Sequence, residues 1–307
     1  MTIHVIHDNP DWYAPFAAAL DAEGVPHGQW LLGEGLVDLD EIPPDGVFWS
    51  RLSASAHTRG RPLAKELARA VLSWLEAHSR RVVNGRRALE LEVSKAQQLT
   101  ALRAAGFDVP RTFAVAGQTE LVNTAKQLDP PFISKHNQGG KGLGVQRFDS
   151  HEEFAAYVSA GPHAAPVDGI TLLQEYVLAA APFITRVEVV GGEFLYAITA
   201  DTARGGFTLC PAEACAADAA EPDLFALRED FDHPVVGRYL DFARRHGIEI
   251  AGFEFIETAD GRLVTYDVNT TTNYNPRIEE VAPRSGVRET ARYLAGLLTA
   301  EERKAGR

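Results

Sequence analysis

The chain contains 307 residues, and its 30 lysines and arginines against 42 aspartates and glutamates give a formal net charge of −12 at pH 7. Hydrophobic residues make up 45% of the chain and charged residues 23%, a globular composition that excludes intrinsic disorder and indicates about two domains or three small ones. The acidic balance argues against a general nucleic-acid-binding protein, which needs a basic face, but it is compatible with a local basic pocket for an anionic ligand.

The N-terminal part of the chain alternates between predicted strands and helices. A β-branched run predicts a strand over Thr2–His7, and a helix over Tyr13–Glu23 precedes a second strand at Val47–Trp49. An apolar stripe at i, i+4 spacing predicts a helix over Pro62–His78 that starts on its proline. Together with Val82–Asn84, this alternation indicates a small α/β unit with a parallel sheet.

Two antiparallel hairpins dominate the later part of the chain. One helix is predicted from Val93 to Arg103, and the hairpins follow at Thr185–Ala200 and at Glu249–Asn269, the second turning at Asp260-Gly261. The other predicted elements are strands over 113–116, 131–135 and 145–148 and helices over 119–128, 152–158, 234–246 and 286–298.

Two observations bear on compartment and partners. Cys210 and Cys215 cannot form a disulfide scaffold and have no histidine nearby for a zinc site. The N-terminus lacks the apolar core of a signal peptide, and the longest apolar stretch, 176–184, is far shorter than the ~20 residues of a membrane helix. We therefore expect a cytoplasmic protein with no membrane and no nucleic-acid partner, and a homodimer is a reasonable expectation for its assembly.

The second hairpin carries a pair of carboxylates. If Asp260-Gly261 is a two-residue turn, residues whose numbers sum to 521 face each other, so Glu254 lies opposite Asp267 at a Cβ separation of about 5 Å. Alternation then divides the strand into a face with Thr265, Asp267 and Asn269 and a face with Val264, Tyr266 and Val268. Two carboxylates and an amide oxygen are the hard ligands that Mg²⁺ prefers, and a cation would remove their repulsion. The alternatives are a solvated face, a protonated carboxylate, or a register slip that separates the pair.

A glycine-rich segment lies between two predicted strands, from Pro131 to Phe148. Its glycines let backbone N–H groups approach phosphate oxygens, and its lysines add positive charge. The spacing is neither that of a Walker loop nor that of a dinucleotide-binding G-x-G-x-x-G. A phosphate-binding flap and a mobile hairpin loop without a ligand are both compatible with it. The residues concerned are Lys135, Gly139, Gly140, Lys141, Gly142 and Gly144.

Taken in chain order, these segments resemble the ATP-grasp carboxylate–amine ligases, most closely the RimK-like (α-L-glutamate ligase-like) branch. The resemblance extends from about Val82 to Pro276. The resemblance implies that Lys95 and Lys135 are phosphate lysines, that 139–144 is the phosphate flap, and that Arg186 lies beside the transferred phosphate. It also implies an adenine hinge at Gln174, Glu175, Tyr176 and Val177 and a metal triad of Glu254, Asp267 and Asn269.

The sequence departs from that family pattern in several places. Relatives often have the triad order Asp, Glu, Asn, whereas this chain has Glu, Asp, Asn. Leu178-Ala179-Ala180 stands where relatives often have an acidic ribose contact, and Ile184 stands where an aspartate is common. A polar tract at 270–275 replaces a small Ser-Pro-Gly segment, so it is either a substrate determinant or a structural turn.

The resemblance implies an α/β (α+β) ATP-grasp fold in three lobes, which are a pre-ATP-grasp domain at 1–90, a lid lobe with the flap at 91–177, and a lobe with the metal site at 178–307. ATP would lie between the last two, with Mg²⁺ or Mn²⁺ as cofactor. The implied reaction phosphorylates a small-molecule or peptide carboxylate, after which an amine attacks the acyl-phosphate. Alternatives are an ATP-binding regulatory protein or a small-molecule kinase of the same fold. Candidate substrate contacts are Arg51, Asn273 and Arg277, and a surface arginine is the alternative for each of the two arginines.

Overall fold

A computed structural model describes residues 1–140, 142, 144–161, 165–206 and 224–306. Lys141, Cys210 and Cys215, which the sequence analysis singled out, lie outside these residues. The described chain is a mixed α/β structure with three sheets, which confirms the predicted fold class. None of its helices is both long enough and apolar enough to span a membrane.

The first sheet is parallel and has the strand order β2-β1-β3-β4. Its strands are β1 Thr2–His7, β2 His27–Leu31, β3 Gly46–Arg51 and β4 Arg81–Val83, with helices α1 Pro10–Ala22 and α2 Ala64–Ala77 and a short 3₁₀ helix at Ala56–Arg59. The edge strand β2 was not predicted, because its sequence HGQWL contains no β-branched residue and no clean alternation. Helix α1 begins earlier than predicted because the side chain of Asn9 caps it, accepting from the backbone N–H groups of Asp11 and Trp12.

A helix that was not predicted lies directly before the helix predicted over Val93–Arg103. Helix α3 spans Arg86–Val93 and helix α4 spans Lys95–Ala104. Ser94 separates them in an extended conformation and caps α4 by accepting a hydrogen bond from the backbone N–H of Gln97. The helix predicted over Val93–Arg103 is therefore confirmed from Lys95 onward, and the break at Ser94 places Lys95 at the first position of α4.

The second sheet is antiparallel and has the order β5-β8-β6-β7. Its elements are β5 Thr112–Ala116, β6 Phe132–His136, β7 Gln146–Phe148 and β8 Ile170–Glu175, with helices α5 Leu121–Ala125 and α6 His151–Ser159. An aromatic core that includes Phe132, Phe148 and Phe154 joins the sheet to these helices. The glycine-rich segment connects β6 to β7, as predicted.

The third sheet is also antiparallel and contains both predicted hairpins, in the order β11-β10-β9-β12-β13. Its strands are β9 Phe183–Val190, β10 Glu193–Asp201, β11 Phe225–Leu227, β12 Ile250–Glu257 and β13 Leu263–Asn269, with helices α7 Thr202–Gly205, α8 Val235–His246, α9 Pro276–Val281 and α10 Gly286–Ala305. Helix α8 packs on the sheet through Tyr239, which stacks on Phe253 at 4.5 Å between ring centroids. Helix α10 contacts α1, β3 and β9, so it joins the first sheet to the third.

Candidate active site

The predicted carboxylate pair is formed, but not by the predicted turn. Glu254 on β12 lies directly opposite Asp267 on β13. Strand β12 ends at Glu257 and strand β13 begins at Leu263, so the connection is longer than the two residues we expected. A β-bulge at Tyr266 adds one residue to β13 and restores the register that the longer turn had shifted.

The bulge reverses the predicted faces of two residues. Tyr266 lies on the cavity side, where its hydroxyl donates to Oε2 of Glu254 at 2.8 Å. Thr265 is fully buried on the other side, where its hydroxyl pairs with that of Tyr239 at 2.7 Å. The expectation that Thr265 shares a face with Asp267 was wrong, because a bulge interrupts strict alternation.

Arg186 is held by two carboxylates and a hydroxyl. It lies on β9 directly opposite Glu254 and is 4% exposed. Its Nη1 donates to Oε1 of Glu254 at 2.8 Å, its Nε donates to Oε1 of Glu188 at 2.5 Å, and its Nη2 donates to Oγ1 of Thr272 at 2.6 Å. Burial opposes the charge, but Glu188 and Glu254 outweigh burial and raise the pKa of Arg186 above its ordinary value. The guanidinium is therefore a fixed positive charge at the carboxylate pair.

The backbone of Gly252 lies against this guanidinium. A Cβ atom at position 252 would lie 2.6 Å from both Nε and Nη2 of Arg186, so any side chain there would require Arg186 to move. Gly252 occupies the interior of β12, where glycine weakens a strand unless another group must approach closely. We did not single out this residue from the sequence, although an interior strand glycine is a signal for such an approach.

Two lysines from different elements face the carboxylates. Nζ of Lys95 donates to Oδ1 of Asp267. Burial disfavours the charge of Lys95, but Asp267 and then Glu92 outweigh burial and raise the pKa of Lys95. Lys135 on β6 has no such close partner among the contacts described, and burial together with the nearby charge of Lys95 lowers its pKa to about 8.

The two carboxylates of the pair differ in how they ionise. Burial raises the pKa of Glu254, and the neighbouring charge of Asp267 adds to this against the opposing effect of Arg186. Burial also disfavours the charge of Asp267, but Lys95 outweighs burial and lowers its pKa. Nδ2 of Asn269 donates to Oε1 of Glu254 at 3.2 Å, so the third residue of the predicted triad lies beside the carboxylate pair.

These oxygens suit a hard divalent cation. Two carboxylates and an amide converge from adjacent strands, and a cation between them would offset the charge repulsion from Asp267, which adds to burial in raising the pKa of Glu254. The described residues contain no group of three or more histidine, cysteine, aspartate or glutamate side chains arranged for a metal. The amide of Asn269 would therefore have to serve as the third protein ligand.

The segment predicted to be an adenine hinge lies where β8 ends. Nε2 of Gln174 donates to Oγ1 of Thr112 at 2.7 Å, and Oε1 of Glu175 accepts from the backbone N–H of Arg111 at 2.9 Å. The guanidinium of Arg147 covers the ring of Tyr176 at 4.7 Å from its centroid. These contacts fix the hinge side chains, and apolar groups line the cavity beside them, including Ile133, Val177, Ile184 and Ile256.

One cavity of about 550 Å³ brings these groups together between the second and third sheets, a size typical of small-molecule sites. Fourteen of the predicted site residues line it, namely Lys95, Lys135, Gly139, Gly140, Gly142, Gln174, Glu175, Tyr176, Val177, Arg186, Glu254, Asp267, Asn269 and Asn273. Gly144 is not among the described residues that line the cavity, although it lies in the same flap. The arrangement offers oxygen ligands, positive charge and an apolar slot in one space.

The structure does not bring Arg51 or Arg277 to this cavity. Arg51 is 3% exposed and donates to the backbone carbonyls of Trp12 and Thr272 and to Oδ1 of Asn273, each at 2.9 Å. Its guanidinium also stacks on the ring of Phe16 in α1, so Arg51 joins the N-terminal part of the chain to the polar tract. Arg277 is exposed on α9. The polar tract at 270–275 is buried, and Arg51 and Asn84 hold it from the N-terminal side.

No family model matches this sequence, and no curated protein matches it. Solved structures do match its fold. A RimK domain ATP-grasp protein from Sphaerobacter thermophilus DSM 20745 aligns with a TM-score of 0.67 at 16% identity over 95% of this chain and 99% of that chain. The D-cycloserine synthetase DcsG aligns with a TM-score of 0.67 at 18% identity over 97% of this chain and 100% of that chain. The ATP-grasp ligase PsnB, in complex with a minimal precursor, Mg and ADP, aligns with a TM-score of 0.65 at 18% identity over 96% of both chains. The chain therefore has the ATP-grasp fold, as the sequence resemblance implied.

Proposed function

We propose that the protein is an ATP-dependent ligase that joins a carboxylate to an amine through an acyl-phosphate. The observation that carries this proposal is the cavity itself, in which Glu254, Asp267, Lys95, Lys135 and Arg186 surround one space beside a glycine-rich flap. This combination suits phosphoryl transfer, which depends on positioning and on neutralising phosphate charge. The names of the matching structures, a D-cycloserine synthetase and a ligase bound to Mg and ADP, support the same class of reaction.

We assign the residues of the cavity as follows. The hinge at 174–177 contacts adenine, Lys95 and Lys135 bind phosphate oxygens, and the flap N–H groups close over them. Glu254, Asp267 and Asn269 hold Mg²⁺, or Mn²⁺ in its place, which neutralises phosphate charge when bound. Arg186 stabilises charge on the transferred phosphoryl group and then on the tetrahedral intermediate. We further propose the division into lobes at 1–90, 91–177 and 178–307 and a cytoplasmic location.

The bond changes follow from this assignment. A carboxylate oxygen attacks the γ-phosphorus, the bond to the bridging oxygen breaks, and ADP leaves. The amine then attacks the acyl carbon, loses a proton and expels phosphate. The flap excludes water during both steps, since an acyl-phosphate hydrolyses readily. The acid and amine are small molecules or peptides. The complexes of PsnB with a minimal precursor and with the precursor peptide PsnA2 support peptides as one of these classes.

A panel of carboxylic acids, including amino acids and short peptides, tests the proposal. Each acid is incubated with the full chain, ATP, Mg²⁺ and hydroxylamine, which converts an acyl-phosphate into a hydroxamate. We expect hydroxamate and ADP in equal amounts with at least one acid, and a dehydrated acid–amine product by mass spectrometry when an amine replaces hydroxylamine. ADP formation that depends on no acid would favour an ATP-binding regulatory protein, and a product that retains phosphate would favour a kinase.

Nucleotide affinity is expected to fall as the pH rises through the pKa of Lys135. Because that pKa is lowered to about 8, Lys135 is charged below this pH and neutral above it. Lys95 has a raised pKa and keeps its charge over the same range. We expect the Kd of ADP with Mg²⁺ to increase on the order of tenfold between pH 7.5 and pH 9.5, measured by calorimetry. The Lys135→Met variant should bind more weakly and lose this pH dependence, and an unchanged slope in that variant would contradict the assignment.

A further inference from the structure

A second polar cluster lies at the N-terminal end of the cavity. Trp12, Ser53 and Ser55 line the cavity there, and all three come from the first sheet's helix and loops. Behind them, the carboxylate of Asp8 is 1% exposed and accepts from the backbone N–H of Ser53 at 2.7 Å. Arg59 forms an ion pair with this carboxylate and stacks on the ring of Trp12 at 4.8 Å.

The hydrogen bonds of this cluster leave the hydroxyl hydrogen of Ser55 available to the cavity. The hydroxyl of Ser53 donates to Oδ2 of Asp8 at 3.2 Å and accepts from Arg59. The hydroxyl oxygen of Ser55 accepts from Nη1 of Arg59 at 3.0 Å. Because Arg59 supplies the proton of that bond, the hydrogen of Ser55 can point into the cavity, with Ser53 Oγ at 3.3 Å as its only other described partner.

The position of Ser55 relates it to the flap. A Cβ atom at Gly140 would lie 3.3 Å from both Cβ and Oγ of Ser55, so the flap backbone packs directly on this serine. Gln138, just before the flap glycines, donates to the carbonyl of Ala54 at 3.3 Å and accepts from Lys65 at 2.6 Å. The serine loop is therefore seated beside the segment that we assign to phosphate binding.

The same loop also lies close to Arg186. Thr271 donates to the carbonyl of Leu52 at 3.5 Å, and the next residue, Thr272, accepts from Arg186. Arg186, Ser55 and Gly140 all line one cavity. A group that receives a phosphoryl unit must lie between the residues that hold the phosphate and those that stabilise its transfer, which is the space that these three residues border.

We infer that Ser55 binds the carboxylate of the acid substrate, with Ser53, Arg59 and Asp8 orienting its hydroxyl and Trp12 contacting the adjoining carbon atoms. This inference rests on the proposed function, which requires a carboxylate next to the terminal phosphate. A hydroxyl donor oriented by an Arg–Asp pair suits this carboxylate, because a hydrogen bond to an ionised acceptor is stronger than one between neutral groups.

The Ser55→Ala variant tests this assignment in the hydroxylamine assay, with the acid of the panel that gives the highest rate as the probe. Loss of a hydrogen bond to a charged group is expected to raise the KM for that acid by about tenfold or more. The KM for ATP should change by less than about twofold, since the inferred role of the hydroxyl involves the acid and no part of the nucleotide. Ser159→Ala is the matched control, because that serine is exposed and bonds only to its own helix.

Ser55→Cys replaces a single atom and provides a second variant if alanine destabilises the loop, with a smaller rise in the same KM expected. An active enzyme whose KM for the acid is unchanged in both variants would overturn the subsite and leave the proposed function intact. An equal rise in both KM values would assign Ser55 a structural role instead. A panel in which no acid forms hydroxamate would contradict the proposed function, and the subsite with it.

Discussion

Replacing Asp267 with asparagine is expected to reduce acid-dependent ADP formation by at least about 100-fold. Asparagine keeps the shape of the side chain and can still accept the 3.0 Å hydrogen bond from the backbone N–H of Val268. It removes the negative charge, however, which both Lys95 and a bound cation require. The measurement is the initial rate of ADP formation over a range of Mg²⁺ concentrations, and we expect excess Mg²⁺ to recover part of the lost rate.

Asp260→Asn is the control for this substitution. Asp260 is a carboxylate of the same hairpin, but it lies at the exposed turn, where it pairs with Arg262. The Asp260→Asn variant should retain full activity. Thermal unfolding separates a catalytic effect from a structural one, because loss of the buried partner of Lys95 lowers stability as well. A folded Asp267→Asn variant that keeps more than about a third of the wild-type rate would contradict the metal assignment.

The pairing of the two carboxylates was predicted from the sequence, but the turn and the bulge that produce it were not. Glu254 and Asp267 were predicted to face each other, and they do. The prediction was based on a two-residue turn, but the turn is longer, and the bulge at Tyr266 compensates for the shift in register. The bulge is accompanied by packing of helix α8 on the sheet, here between Tyr239 and Thr265, so no local pattern could have predicted it.

The order of motifs along the chain was enough to predict the ATP-grasp fold and the groups around one cavity. Long-range contacts determine the role of each charged residue, and the sequence alone did not predict those contacts. Arg51 was predicted to hold a substrate, yet its Nη2 donates to residues more than 200 positions away in the polar tract. Ser53 and Ser55 carried no recognisable pattern, because their role depends on a flap more than 80 residues later in the chain.

Replacing Gly252 with alanine is expected to reduce turnover by about 100-fold while leaving ADP affinity nearly unchanged. A methyl group at this position would lie 2.6 Å from two guanidinium nitrogens, so Arg186 would have to move. Movement would break its bonds to Glu188 and Thr272, which fix it beside the carboxylate pair. The overpacked strand should also lose roughly 1–3 kcal/mol of unfolding free energy, measured by urea denaturation. Gly296→Ala, in helix α10 with no atom near its Cβ position, is the control and should be active and no less stable.

A double-mutant cycle identifies Arg186 as the residue through which the Gly252 substitution acts. Arg186→Gln alone should lower turnover by at least about 100-fold, since it removes the charge that stabilises phosphoryl transfer. Adding Gly252→Ala to Arg186→Gln should then lower turnover little further, because the group that the methyl displaces is already gone. Independent, additive losses would mean that alanine at 252 acts on the sheet as a whole. In that case, the close approach of Gly252 would be a packing feature, and the position of Arg186 would not depend on it.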